Sequence, residues 1–410
     1  MLSRRSFLQS SALLALAPTV PGFLTRTART AEPKRDGRVL VVIELNGGND
    51  GINTIVPFAD EGYARHRKTL RLPTDKLLKI TDRVGFHPAM RDAAKLLETG
   101  RLAIVQGVGY PNPNRSHFDS MAIWQTARLN PKEHKGPGWV ASALNSGRSP
   151  ADGAPASLLV GLDAPPRALM GGRAATAALA NLDDWALSGP IDPKRALQIS
   201  DDSGHHERAS RSDLQSFVAR SMLDAYATAD HLQKLSRIRD GGRAYPATAL
   251  AEHLRLVAQL LKAGYGTRVF YTIQGGYDTH FTQLANHADL LSTLAGAVRA
   301  FLDDLHGARL ADRVAVLTFS EFGRRVAEND SLGTDHGTAA PIFLAGTKVK
   351  PGLVGTTPSL IDLQDDDLKM SIDFRRVYAT LLEEWLELPA NTVLGGTFEP
   401  LQLFGSSSMT

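Results

Sequence analysis

The stretch Arg38-Val-Leu-Val-Val-Ile-Glu-Leu45, running into Asn46-Gly-Gly-Asn-Asp50-Gly51, decides the fold. An almost unbroken aliphatic and β-branched run of this length suits a strand buried on both faces, the central position of a parallel sheet covered by helices, because no side chain has to meet water. The polar, glycine-rich stretch at its end is the other half of the pattern: ligands of open α/β sheets sit beyond the carboxyl ends of the strands. The alternation recurs outward from there. His87–Thr99 has helical periodicity and closes at Gly100, Leu102–Val108 reads as a second strand, and Ser116–Ala127 reads as a helix. Later, Ser212–Leu235 and Ala247–Lys262 are helical patterns, Arg268–Ile273 a strand, Phe281–Leu305 a long helix, Arg313–Phe319 and Pro341–Ala345 strands, and Asp373–Leu386 a closing helix. Residues 130–212 are rich in Gly, Pro, Ala and Ser, hold a short strand at Ser157–Gly161, and read as a loop-rich insertion. Strands alternating with helices predict an α/β fold, a three-layer α/β/α sandwich around a mostly parallel sheet, in one domain over 38–405.

The 410 residues, 43% apolar and 22% charged, suit a globular chain of this size. Ser3-Arg4-Arg5-Ser6-Phe7-Leu8, followed by the short apolar run Ala12–Ala17, reads as a targeting segment over 1–31. It resembles the twin-arginine consensus, which implies passage through the Tat translocase as a folded protein and a periplasmic or otherwise exported location. A basic N-terminal helix with an apolar face is the plainer alternative, and retention as an uncleaved anchor stays open. The formal net charge of +3 comes from this segment: without Arg4, Arg5, Arg26 and Arg29, 42 of the 46 basic side chains face 43 acidic ones. A nucleic-acid partner therefore has no global electrostatic support. After the first thirty residues no apolar run approaches the roughly 18 positions that a spanning helix needs. With no cysteine in the chain, disulfides, thiolate nucleophiles and Cys-ligated metals are excluded, and any metal must be held by His, Asp, Glu or Asn.

Polar clusters follow the strands. Asn46-Gly-Gly-Asn-Asp50-Gly offers a carboxylate for a hard cation, or an Asx turn leaving the strand. Pro111-Asn-Pro-Asn-Arg115-Ser116-His117-Phe118-Asp119 puts Ser116 where a helix begins, either as a plain N-cap or as a nucleophile beside amides that stabilise an anion, with Arg115 as an oxyanion partner. In Gly275-Gly276-Tyr277-Asp278-Thr279-His280 a carboxylate and an imidazole two residues apart converge on one ion if the backbone is extended. Gly333-Thr334-Asp335-His336-Gly337 brackets adjacent Asp and His by glycine, a poor core and a poor helix. Glu321 suits a ligand, a general base or a partner of Arg324, and Asn46, His87 and His117 are further candidates. His287 reads as solvent-facing or satisfied.

Taken in order, Leu-Asn-Gly-Gly-Asn-Asp-Gly-Ile-Asn-Thr, Phe-His-Pro-Ala, Arg-Ser-His-Phe, Gly-Gly-Tyr-Asp-Thr-His, Ser-Glu-Phe-Gly-Arg and Gly-Thr-Asp-His-Gly resemble a large bacterial family of exported proteins of unknown function, grouped with the alkaline phosphatase and sulfatase superfamily. The resemblance implies an alkaline-phosphatase-like sandwich with a divalent metal (Zn, Mn, Mg or Ca) at the carboxyl edge of its sheet. It implies Asp50, Asp278, His280, Asp335 and His336 as ligands, Ser116 as nucleophile, and a phosphate or sulfate ester of a small molecule or glycan as substrate. No histidine follows His336, so one ion, or none, remains open beside a two-zinc site. The alternative function is a non-catalytic envelope scaffold that keeps the fold and binds a structural ion or a glycan.

Overall fold

The computed structural model describes residues 37–146, 156–162, 164–172, 176–179 and 244–405. Residues 1–31, read as a targeting segment, the helical pattern Ser212–Leu235 and much of the stretch read as a loop-rich insertion lie outside the described residues.

Strand β1 (Val39–Leu45) is buried end to end, with no side chain more than 3% exposed. Val39, Val41, Ile43 and Leu45 face one apolar cluster and Leu40 and Val42 face the other, which is why the run has no polar alternation. Each fully buried aliphatic side chain contributes roughly 1.5–3 kcal/mol. Around β1 stand β2 (Leu102–Gly109), β3 (Ser157–Val160), β4 (Thr176–Leu179), β5 (Val269–Gln274), β6 (Val314–Phe319), β7 (Ala340–Ala345), β8 (Gly352–Val354) and β9 (Ile372–Asp373). They form a nine-stranded sheet in the order β8-β2-β7-β6-β1-β5-β3-β4, with β9 also pairing β2. β1 runs parallel to both neighbours, Leu40 opposite Val269 on β5 and Val39 opposite Val314 on β6.

One face of the sheet is covered by α1 (Arg91–Glu98), α4 (Ala249–Lys262) and α5 (Gln283–Gly307), the other by α2 (His117–Thr126), α3 (Trp139–Ser146) and α6 (Phe374–Thr380). The fold is therefore an α/β three-layer sandwich on a mostly parallel sheet. Among the described residues no helix is long and apolar enough to cross a membrane.

Three differences from the sequence reading have physical causes. α1 begins four residues late because Pro88 disfavours a helical His87. His87 instead donates its amide to the Thr54 carbonyl and accepts the Ala89 amide on Nδ1. α3 falls inside the stretch read as loop, where its Ala, Ser and Asn hide the pattern, and it is anchored by Trp139 stacked on Tyr378 at 4.3 Å. β7 is antiparallel to both β2 and β6. That reversal positions the site: the residues before β7 emerge at the same edge as the residues after β1, β2, β5 and β6.

Candidate metal centre

Four loops meet at that edge. The loop after β1 turns through Gly47 and Gly48, at φ 121° and 81°, a region that favours glycine. Contact enforces the choice, since a Cβ on Gly47 would lie 2.3 Å from the Asp278 amide nitrogen and one on Gly48 2.4 Å from the Phe322 ring. The amides of Gly47 and Gly48 donate to the two carboxylate oxygens of Glu321 at 2.9 and 3.1 Å. Arg324, fully buried, ties three loops together: Nε donates to the Gly48 carbonyl (2.8 Å), Nη1 to the Thr334 carbonyl (2.8 Å), and Nη2 to the Gly47 and Tyr277 carbonyls and to Asp278.

Onto this frame the chain hangs three imidazoles and one carboxylate. Oδ1 of Asp278 lies 3.0 Å from His336 Nε2, 3.1 Å from His280 Nε2 and 3.5 Å from His117 Nε2, and accepts from Arg324 Nη2 at 2.7 Å. The Nε2 atoms of His280 and His336 are 2.9 Å apart. Ligand atoms of His117, Asp278 and His336 all fall within 4.8 Å of one another. Phe322 lies against two of the rings, 5.0 Å from His117 and 4.7 Å from His336.

The second nitrogen of each ring decides what the ring presents to Asp278. Nδ1 of His117 meets Glu321 Oε1 at 2.8 Å, Nδ1 of His280 meets Asp335 Oδ1 at 3.0 Å, and Nδ1 of His336 meets the Arg115 carbonyl at 2.8 Å. All three partners accept and none donates, so in each neutral ring Nδ1 carries the hydrogen and Nε2 presents a lone pair. Three lone pairs and a carboxylate then face one point, with Arg324 the one donor among these contacts. Outer acceptors that fix the tautomer of inward-pointing imidazoles are the usual surroundings of metal-binding histidines. The donor set fits a divalent cation.

Charge supports the same arrangement. Burial pushes the Asp278 carboxyl up, but the Arg324 guanidinium, through its hydrogen bond and its charge, outweighs it and holds the carboxyl down at about 2. The hydrogen bond to Glu321 raises the His117 imidazole. Burial also works against the Asp335 charge, yet the hydrogen bonds from Asn329 and His280 lower its carboxyl overall.

Of the residues singled out in the sequence, Asp278, His280 and His336 meet at the centre with His117, while Asp335 and Glu321 stand behind the imidazoles. Glu321 pairs with His117 and the glycine amides; Arg324 pairs with Asp278. Asp50 is not brought to the cluster. It caps the turn Gly51–Thr54, is wholly buried, and takes both ends of the Arg67 guanidinium at 2.6 and 3.0 Å and Gln283 Nε2 at 2.5 Å. Burial raises its carboxyl, but the Arg67 charge more than compensates and keeps it below its ordinary value. The Arg115 guanidinium binds the buried Asp367, so what Arg115 gives the centre is its carbonyl. Ser116 caps α2 over a long 3.5 Å contact from the Asp119 amide, Asn46 donates to Glu44 at 3.3 Å, and His87 is buried away from the cluster.

Sequence reasoning passed over Glu44, Arg67 and Gln283. Glu44 had a signal, as the one acid inside the aliphatic run. It is buried against Tyr271 and Gln125, with Tyr271 Oη donating at 2.5 Å and Gln125 Nε2 at 2.8 Å, and burial raises its carboxyl. Nothing local distinguishes Arg67 or Gln283, whose partners are 17 and 233 residues away.

An α/β sandwich with three imidazoles and a carboxylate gathered at the carboxyl edge of its sheet is the class that fold and site define. Residues 38–394 match the family described as "Protein of unknown function (DUF1501)", and the chain belongs to that family. No curated protein matches it. Among solved structures it is similar to the PsFucS1 sulfatase from Pseudoalteromonas sp. (TM-score 0.41, 10% identity, 96% of this chain and 76% of that one). It is similar as well to the C-terminal periplasmic domain of EcEptC from Escherichia coli in complex with Zn (0.39, 8%, 87% and 85%). A third is a protein in the alkaline phosphatase superfamily from Vibrio parahaemolyticus (0.35, 9%, 92% and 77%). Likeness at this level assigns no chemistry to the chain, which rests on the side chains described above.

Proposed function

We propose that the chain is an exported, metal-dependent hydrolase of phosphate or sulfate esters on an alkaline-phosphatase-like fold. The observation that carries the reading is the convergence of three Nε2 lone pairs on the Asp278 carboxylate, each imposed by an acceptor behind the ring. His117, Asp278, His280 and His336 hold the ion. Imidazole-rich donors suit Zn²⁺ better than Mn²⁺, Mg²⁺ or Ca²⁺, which prefer oxygen. When bound, a divalent ion supplies Lewis acidity toward an ester oxygen. With Asp50 engaged by Arg67, one ion is favoured over two.

The rest is supplied by the chain. Glu321, Asp335 and the Arg115 carbonyl keep the imidazoles aimed inward. Ser116, between Arg115 and His117 at the start of α2, is the proposed nucleophile, and the first-turn amides of that helix stabilise the charge on the anion. With the Arg115 guanidinium on Asp367, Arg325 is the proposed oxyanion partner: it is half-buried, follows Arg324, and its amide donates to the Asp335 carbonyl at 2.9 Å, next to His336.

Elemental analysis of protein purified without chelators, with a screen of aryl phosphates and sulfates, tests the reading. One ion per chain together with ester cleavage supports it, and an ion without cleavage selects the envelope scaffold instead. Export is proposed from Ser3-Arg4-Arg5-Ser6-Phe7-Leu8. Replacing Arg4→Lys and Arg5→Lys keeps the charge and removes the paired guanidinium groups, so export fails while folding is untouched; normal periplasmic accumulation of the double variant would contradict the Tat route.

A further inference from the structure

Two phenylalanines stand in solvent beside the centre: Phe118 is 89% exposed and Phe281 65%, and they are the two exposed phenylalanines among the described residues. Each directly follows a histidine of the cluster, His117 and His280, on different elements. Leu332 and Leu284, 47% and 39% exposed, belong to the same wall as Phe281. That wall is held by the Thr282 amide donating to the Ser331 carbonyl (3.1 Å), the Gln283 amide to the Leu332 carbonyl (2.9 Å) and Asn329 Nδ2 to the His280 carbonyl (3.0 Å). Thr282 and Leu332 sit at φ 44° and 59°, left-handed backbone that is costly for a β-branched and for a bulky side chain. Scattered exposed apolar side chains are ordinary, but a concentration of them around a polar cluster marks a binding surface.

Resting on the ester reading above, we propose that Phe118 and Phe281, with Leu332 and Leu284, form an apolar rim that selects esters whose alcohol half presents a flat apolar face. Charge divides the substrate: the anionic group belongs with the ion, and the uncharged half has the rim, one residue along the chain from two of the histidines. The rim residues touch neither the ion nor the reacting atoms, so they set specificity and not turnover chemistry.

Uncleavable anions separate the two halves. Calorimetric titration of metal-loaded protein with phenylphosphonate and methylphosphonate, and with the matching phenyl and methyl sulfonates, compares ligands that share one anionic group. For whichever anion binds, the phenyl ligand binds about tenfold more tightly than the methyl ligand to the native protein. Phe118→Ala and Phe281→Ala each reduce that ratio, and the double variant brings it close to one with metal content and methyl-ligand affinity unchanged. A native ratio near one, or a ratio that survives in the double variant, overturns the rim and leaves the ester reading standing. Failure of all four anions to bind the metal-loaded protein overturns both.

Discussion

Asp50 and Asp278 follow the adjacent strands β1 and β5, and each lies beside an arginine and a glutamine or histidine, yet they are opposites. Around Asp50 donors and acceptors pair off: Arg67 and Gln283 donate to its oxygens, and His287 Nε2 meets Asn49 Oδ1 at 2.9 Å, with Asn49 Nδ2 the one unmatched atom of the group. Around Asp278 acceptors crowd together and Arg324 alone donates, on a carboxylate whose side chain is 48% exposed. A polar cluster that closes on itself holds the fold, whereas one left rich in lone pairs at the surface calls for a ligand.

The largest effects belong to the closed cluster. Arg67→Ala leaves the Asp50 charge buried without its partner, and urea denaturation should show a loss of about 3–5 kcal/mol. Because the two residues act as a unit, Asp50→Ala with Arg67→Ala loses much less than the sum of the single changes. Additive losses would break the contrast.

Acid comes next. Burial holds the His87 and His287 imidazoles down at about 4. An unfolded histidine titrates near 6.5, so between about pH 4 and 6.5 the unfolded chain binds more protons than the folded one, and stability falls as pH drops through that window. The loss is on the order of 3 kcal/mol per group, and His287→Gln should flatten the slope. An unchanged pH profile in that variant would place the acid sensitivity elsewhere.

On the open side, effects fall on binding and spare stability. Asp335→Ala removes an exposed acceptor behind His280, so metal affinity should fall about 10–100-fold while the denaturation midpoint hardly moves. A loss of stability with affinity intact would make Asp335 part of the closed kind. Ser116→Ala is the smallest change to the fold, near the lower end of the roughly 0.5–2 kcal/mol typical of an N-cap, given its 3.5 Å contact. Turnover should vanish in the same variant; saturating activity close to native would reduce Ser116 to a cap.

The contrast also explains what was legible in the sequence. β1, β2, β5 and β6 could be read because strands buried on both faces are written as continuous apolar runs, and the glycine-flanked Asp278-Thr-His280 and Asp335-His336 could be read because those pairs suit neither core nor helix. Roles inside the cluster could not be, since they depend on which oxygen each Nδ1 meets: His117 finds Glu321 across 204 residues, and Asp335 meets His280 Nδ1 from behind the ring. Asp50 looked like a ligand for the reason that hid its partner, because a carboxylate after a strand carries no local mark of a guanidinium 17 residues on. The antiparallel β7 was equally silent, as an apolar run states burial and not direction.

The central claim is that three imidazoles surround one ion at Asp278. Zinc-edge X-ray absorption of protein stripped with chelator and reloaded with one equivalent of Zn²⁺ tests it most directly. The account predicts nitrogen and oxygen donors at about 2.0–2.1 Å, with the multiple scattering of three imidazoles that diminishes in His336→Ala. An oxygen-only shell, or a spectrum identical in that variant, would contradict it.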